Sequence, residues 1–300
     1  IEATEEQKSY TGVIPVITVL IENNFRRNNR LVAIGGGITQ DVTAFIASIL
    51  YRGVGWLLFP TTLLAQCDSS IGSKIAINFG EYKNQIGGFY PPREIFIDLA
   101  FLDTLPRTDV LSGLGEMLHY YIVSGESDYA RFVREYDDAL ENREILRGLL
   151  LRCLEIKRQF IERDEFDRSE RQVLNYGHSF GHALEKATHY RLPHGIAVAC
   201  GMDMANFISM KLGYLSSAAF EKMSGFLAHV RRDFSLGEIS TDEFFRALAR
   251  DKKNIGSELG LILLRGPGQA FRTMVASDER FRRWVREYVG TDDQADQKIP

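Results

Sequence analysis

Cysteine is scarce in this chain of 300 residues: Cys67, Cys153 and Cys200 lie far apart and without metal-ligand spacing. That excludes a disulfide framework and points to a reducing compartment, so the expected location is cytoplasmic. Long apolar runs are missing as well. No stretch approaches the roughly 20 residues that cross a bilayer, and no signal peptide opens the sequence, so no membrane partner is expected. An excess of positive charge is also lacking: the formal net charge is −4 and the pI is near 5.9. Such a chain has no electrostatic footprint for nucleic acid. Internal repeats and low-complexity linkers are absent. What remains is an ordinary globular composition, 45% hydrophobic and 25% charged, at a length that suits two compact domains.

What is present is unevenly placed. Four of the six histidines, His178, His182, His189 and His194, fall within "NYGHSFGHALEKATHYRLPHG". Such a cluster reads as a metal site, an acid/base site or an accident of composition. The pattern of elements also changes along the chain. "SYTGVIPVITVLIENNFRRNNR" sets Val13, Ile17, Leu20 and Ile21 at helical spacing, with Pro15 in the first turns. "LVAIGGG", "GWLLFP" and "EIFIDLA" read as strands, and "TQDVTAFIASILYRG" as a helix with Val42, Phe45, Ile46 and Ile49 on one face. Strands alternating with helices predict a parallel sheet. After Pro106, "VLSGLGEMLHYYIV", "ILRGLLLRCLEIKRQFIERDEF" and "GIAVACGMDMANFISMKLG" are long helical patterns with no clear strands between them. The expected organisation is an α/β domain over 1–106 and an all-helical domain over 107–300, ending in a polar tail, "TDDQADQKIP", expected to be disordered.

Two stretches carry chemistry. Gly35, Gly36 and Gly37 follow a strand and open a helix, where backbone can approach a phosphate and the helix N-terminus offers N–H groups. "PTTLLAQCDSSIGSKIAINFGEYKNQIGGFYPP" has no amphipathic period and reads as a loop, yet it gathers Asp68, Ser69, Ser70, Lys74, Asn78, Lys83 and Asn84. In the histidine cluster, the HxxxH spacing puts His178 and His182 on one helix face, one turn apart. Two zinc ligands and a satisfied core pair both fit that spacing. The HExxH protease version is excluded, because Ser179 stands where its glutamate would be.

Taken in order, the motifs resemble those of the 3-dehydroquinate synthases, which belong to the sugar phosphate cyclases. They are GGGxxxD from Gly35 to Asp41, "YRG" from Tyr51, "PTTLLAQ", "DSSIGSK", "YKN", "LDTLP" from Leu102, "NYGHSFGHALE", "HG" at His194 and "DKK" from Asp251. "EEQKS" is similar to an early dinucleotide-contacting segment of the family. The agreement runs from about residue 5 to about 255. The resemblance implies a dehydroquinate synthase-like fold: a Rossmann-like nucleotide-binding α/β domain, here lacking its first strands, followed by an all-α metal-binding domain.

The resemblance also implies roles, residue by residue. Glu116, His178 and His194 match the metal ligands, for Zn²⁺ or Co²⁺. NAD⁺ contacts are implied at Glu5 and Lys8, at Gly36, Gly37, Ile38 and Asp41, and at Thr61 and Thr62. They continue through Asp68, Lys74, Lys83 and Asn84 to Phe101, Thr104 and Leu105. Arg52, Asp68, Lys74, Asn84, Lys157, Arg171, Asn175, His182 and Lys252 match the substrate-facing set, with Arg171 where carboxylate-bearing substrates meet an arginine. Concentrating Arg and Lys in the motifs of a mildly acidic chain fits a small polyanion. His189 and His229 match nothing and read as surface. The implied reaction converts 3-deoxy-D-arabino-heptulosonate 7-phosphate to 3-dehydroquinate and phosphate. NAD⁺ removes and returns a hydride, so no net redox change results. The implied assembly is a homodimer. Other sugar phosphate cyclases and metal-dependent polyol dehydrogenases are the alternatives. One departure stands out: His119 occupies the position of the family's lysine, three residues after Glu116.

Overall fold

Ser9 starts the first helix by accepting the Gly12 N–H at 3.3 Å, and α1 runs over Tyr10–Glu22. The computed structural model describes residues 1–80, 82–237, 239–251 and 253–295, with 291–295 given by backbone alone. The chain divides into two compact units, Ile1–Gly113 and Leu114–Pro300.

In the first unit, β1 (Arg30–Gly35), β2 (Gly55–Pro60) and β5 (Glu94–Ile95) form a parallel sheet in the order β1-β2-β5. Helix α2 (Gly37–Ile49) connects the first two strands. Parallel neighbours need such a crossover, which covers one face of the sheet. The core joins Val13 of α1, Val42, Phe45 and Ile46 of α2, and Trp56 and Leu58 of β2. Two residues of the predicted helix faces do not join it: Ile21 is 52% exposed and Ile49 45%. The stretch expected to be a loop is instead a hairpin, β3 (Lys74–Phe79) antiparallel to β4 (Tyr82–Phe89), with Ile77 opposite Ile86. Its β3 side buries Ile75 and Ile77 in the same core. Only alternate β3 residues face that core, and glycine interrupts β4 at Gly87 and Gly88, so the hydrophobic period is broken in sequence.

The second unit is built on helices. α3 (Arg107–Ser124) starts before the division of the chain and continues past it. It is followed by α4 (Glu126–Glu141), α5 (Arg143–Arg163), α6 (His178–Ala187) and α7 (His194–Lys211). α8 (Ser217–Val230) and α9 (Thr241–Ala249) come next. Helix α7 is buried at every residue from Gly195 to Ser209, as an almost uniformly apolar helix must be. Its polar exceptions are partnered: Asp203 and Asn206 accept hydrogen bonds from Tyr288 and Tyr176 at 2.9 and 2.6 Å, and Ser209 donates to the Leu264 carbonyl.

The α/β-then-helical order stands, but the second unit is not purely helical. β6 (Glu258–Leu264) and β7 (Ala270–Ala276) form an antiparallel hairpin. β6 is buried from Leu259 to Leu264, and a short continuous apolar run cannot be told from a buried helix by period. Helix α10 (Glu279–Ala295) carries the chain into the tail expected to be disordered, and residues 296–300 lie outside the described ones. Among the described residues, no helix is long and apolar enough to cross a membrane.

Candidate active site

Each of Glu116, His178 and His194 adjoins a glycine, and those glycines explain why the three meet. A Cβ on Gly115 of α3 would lie 2.5 Å from the Gly195 carbonyl oxygen of α7. A Cβ on Gly181 of α6 would stand 3.0 Å from the Ala197 carbonyl oxygen, and one on Gly201 of α7 would overlap the Gly177 backbone. Gly177 itself has φ +82°, a conformation that costs glycine little, and ends the turn that aims His178. Backbones thus touch where side chains would otherwise hold α3, α6 and α7 apart.

At that junction the ligand atoms of Glu116, His178 and His194 all lie within 4.8 Å of one another. His178 Nε2 is 3.4 Å from Glu116 Oε1, and His194 Nε2 is 3.5 Å from Glu116 Oε2. The Nδ1 atoms face away, toward the Tyr176 carbonyl at 3.2 Å and toward Glu185 Oε1 at 3.1 Å. With a hydrogen on each Nδ1, both Nε2 atoms offer lone pairs to the carboxylate side. Glu116 is 1% exposed, and among the described residues its Oε2 has no hydrogen-bond partner. Burial acts to raise the Glu116 carboxyl, but the rings of His178, His119 and His194 outweigh it and hold it at about 2. An ionised carboxylate with a buried unbonded oxygen and two converging imidazoles is a donor set that fits a divalent ion such as zinc.

Other sequence-derived candidates lie in the same unit. The His182 ring stands 5.6 Å from His178 and 5.7 Å from His194, centroid to centroid. His119 is 1% exposed, with Nδ1 at 2.6 Å from the Glu116 carbonyl and its ring 5.1 Å from His178 and 3.8 Å from Tyr120. Lys157 is buried on α5, with Nζ 5.9 Å from the Tyr120 ring centroid. Arg171 is buried and donates to the Glu165 carbonyl at 2.6 Å, while Asn175 donates to the Gln172 carbonyl at 3.0 Å. Lys252 lies outside the described residues. Its neighbour Asp251 accepts from Ser179 Oγ at 2.9 Å and pairs with Lys253 Nζ at 3.1 Å. His189 and His229 are surface residues pairing with Glu243 and Asp137.

Sequence reading missed Glu185 and Asp164. Glu185 is three residues from His182 on α6, a spacing that could have found it. Asp164 accepts the backbone N–H of Arg168, Ser169 and Arg171 at 2.9, 2.7 and 3.1 Å, and so shapes the turn that carries Arg171. Those backbone hydrogen bonds, led by Arg168, overcome desolvation and lower its carboxyl to about 2.

The first unit holds the candidate nucleotide contacts. Gly36 and Gly37 open α2; a Cβ at Gly37 would meet nothing within 4 Å, so that helix start is open, with Ile38 in its first turn. Lys8 pairs with Asp41 at 2.5 Å; burial pushes the Asp41 carboxyl up against the pull of Lys8. Asn78 ties two further segments together: it donates to Glu5 Oε1 at 2.8 Å, accepts the Asn84 N–H at 2.9 Å, and its own N–H reaches the Lys8 carbonyl at 2.8 Å. Lys83 approaches Glu5 at 3.8 Å. Glu5, Lys8, Asp41, Lys83 and Asn84 are therefore linked through one network. The Thr61 N–H bonds the Gly35 carbonyl at 3.0 Å, and Thr62 caps the turn containing Asp68. Lys74 is exposed at the start of β3. Arg52 is exposed at φ +64°, directly after Tyr51 at φ +51°. Phe101 and Thr104 lie in the short turn Leu99–Thr104, followed by Leu105.

Family models cover both units: 3-dehydroquinate synthase N-terminal over residues 1–112 and C-terminal over 113–254. The chain belongs to the 3-dehydroquinate synthase family. It is 36% identical over 289 residues to the 3-dehydroquinate synthase of Haemophilus ducreyi, spanning 95% of this chain and 80% of that one. Solved structures agree. A 2-epi-5-epi-valiolone synthase from Streptomyces hygroscopicus with NAD⁺ and Zn²⁺ bound superposes with TM-score 0.86 at 25% identity, covering 98% of this chain and 82% of that one. A 2-deoxy-scyllo-inosose synthase complexed with carbaglucose-6-phosphate, NAD⁺ and Co²⁺ gives 0.83 at 25%, covering 95% and 80%. The resemblance read from the motifs holds across both halves, and with it the fold class and the assignment as a lyase of the cyclase type.

Proposed function

We propose that this chain converts 3-deoxy-D-arabino-heptulosonate 7-phosphate to 3-dehydroquinate and phosphate, with NAD⁺ and a divalent metal, zinc or cobalt. The observation that carries the reading is the convergence of Glu116, His178 and His194 on one point in a chain of this family. When bound, NAD⁺ would accept and return a hydride, and the metal would polarise the substrate alcohol. Glu116 enters that site already ionised, so its own carboxyl has no proton to lose when a cation is held. The open start of α2 at Gly36 and Gly37 offers N–H groups for dinucleotide phosphates, with Asp41 and Lys8 one turn beyond. Arg171, fixed by the Asp164 turn, is the carboxylate clamp, and Lys157 an anion contact. His182 and Asn175 are proposed as substrate contacts of the second unit, and Arg52, Asp68, Lys74 and Asn84 as those of the first. We also propose that the protein works as a homodimer in the cytoplasm; its three buried thiols form no disulfide, as a reducing compartment requires.

The test is to supply the purified protein with the heptulosonate phosphate, NAD⁺ and zinc, and to follow released phosphate together with NADH absorbance. Phosphate release without net NADH is expected. Net NADH would mark a dehydrogenase instead. His119 favours one second reading, a cyclase for a related sugar phosphate, because an imidazole stands where the family keeps a lysine. Faster turnover of sedoheptulose 7-phosphate or glucose 6-phosphate than of the heptulosonate would establish it.

A further inference from the structure

The two histidines beside Glu116 are held in different ways. His178 is fixed by its own segment, with Nδ1 against the Tyr176 carbonyl two residues back. Its side chain is 14% exposed, so packing also restrains it. His194 has less support. It opens α7 after Pro193, which provides no side-chain cap, and its side chain is 33% exposed. What reaches its Nδ1 is a carboxylate from another helix, Glu185 Oε1 at 3.1 Å. Glu185 is 8% exposed, and burying a carboxylate is costly unless a partner compensates it. The partner here is the ring whose opposite nitrogen looks at Glu116.

We propose that Glu185 is a positioning residue: it accepts the Nδ1–H of His194, fixes that tautomer, and so turns Nε2 toward the metal position. The inference rests on the metal reading of Glu116, His178 and His194. A carboxylate behind an imidazole both orients the ring and raises its basicity as a ligand. Removing Glu185 takes away the carboxylate acceptor that meets His194 Nδ1 and with it that restraint on the ring. His182, Glu185 and His194 also form a second set with ligand atoms within 4.8 Å. In the proposed arrangement that set holds no ion of its own, because the Nδ1 lone pair is occupied by a proton.

The measurement is zinc affinity of the metal-free protein, by competition with a chromophoric chelator, together with the visible spectrum after loading Co²⁺. Glu185→Met keeps the length and apolar volume but removes the acceptor; zinc binding should weaken about 10- to 100-fold, and the cobalt bands should shift. Glu185→Gln keeps an oxygen acceptor and should restore both to near the unsubstituted values. Should Glu185→Met fail to fold, Glu185→Asp, which withdraws the oxygen by one methylene, should show the same loss. Unchanged affinity and spectrum in Glu185→Met would overturn the proposal. So would a second zinc equivalent that disappears with Glu185, since the second set would then be an ion site in its own right. His178→Ala separates the two levels: if it binds zinc as well as the unsubstituted protein, the metal reading itself falls. If it loses zinc while Glu185→Met does not, only the role of Glu185 is wrong.

Discussion

The two units differ in how several of their candidate residues are presented. In the helical unit, Glu116, His119, Lys157 and Arg171 are all buried, on helices or in a turn pinned by a carboxylate. In the α/β unit, Arg52, Lys74 and Asn84 are exposed, and two of them, Arg52 and Asn84, have positive φ, a backbone state rare outside glycine. The difference is between groups set by packing and groups carried at exposed positions of short strands and turns. A metal position needs donors fixed to a few tenths of an ångström, and close-packed helices hold them so. An extended dinucleotide is gripped by many weak contacts, and turns bring backbone and long side chains to it.

Breaking the helical side should have the largest effect. His194→Ala removes one of three converging donors; stoichiometric zinc and turnover should both vanish, as metal analysis and phosphate release will show. Stoichiometric zinc with near-normal activity would refute the assignment.

On the α/β side, Lys8→Met strips the partner from Asp41, whose carboxyl burial already pushes up. Removing one member of a buried pair typically costs about 3–5 kcal/mol, and the partial exposure of Asp41 places this one at the lower end, about 3 kcal/mol. Denaturant unfolding should register that loss, and NAD⁺ affinity should fall with it, while zinc content stays unchanged. A loss of zinc in this variant would erase the contrast between the two units.

Arg171→Ala should be milder. A charge-assisted pair contributes about 1.5–3 kcal/mol, so KM for the heptulosonate should rise about ten- to a hundredfold with NAD⁺ affinity spared. Equal losses for both ligands would mean that Arg171 supports the fold and not the carboxylate.

The smallest effect concerns Asp164. Its folded pKa, about 2, lies below the ordinary aspartate value of about 3.9. The stabilisation is therefore complete above about pH 4 and is lost as pH falls toward 2. Asp164→Asn should lower the melting temperature in the neutral region and converge with the unsubstituted protein near pH 2, so that the acid limb flattens in that window. An unaltered acid limb would show that the turn does not depend on the charge.

How legible all this was in sequence depended on local pattern. The HxxxH spacing exposed His178 and His182 because helical geometry relates residues four apart. Glu116 carries no such mark: it stands among mostly apolar neighbours, seven residues from Asp109 of the same helix, and only the family resemblance singled it out. The parallel sheet was readable from alternating elements, α1 and α2 from the period of one apolar face, and α3, α5 and α7 from their length and apolar content. The β3–β4 hairpin was not, because its buried residues alternate in one strand and glycine thins the other. Ile21 and Ile49 misled in the other direction, fitting the helical period but lying beyond the edge of the buried stripe. Glu185 escaped although it stands three residues from His182, because the ring it meets is that of His194, nine residues away across a turn.

The glycines beside the three donors act as a caliper. Gly115 and Gly195 set the gap between α3 and α7, and Gly181 and Gly201 that between α6 and α7. At the proposed metal position, helix spacing would then decide the size of ion that fits, upstream of any side-chain rotamer. A single methyl at Gly115 would push α3 outward and carry Glu116 with it, widening the span that His178 and His194 must close. Such a variant should trade zinc for a larger cation such as cadmium, a change of metal preference made without touching a ligand.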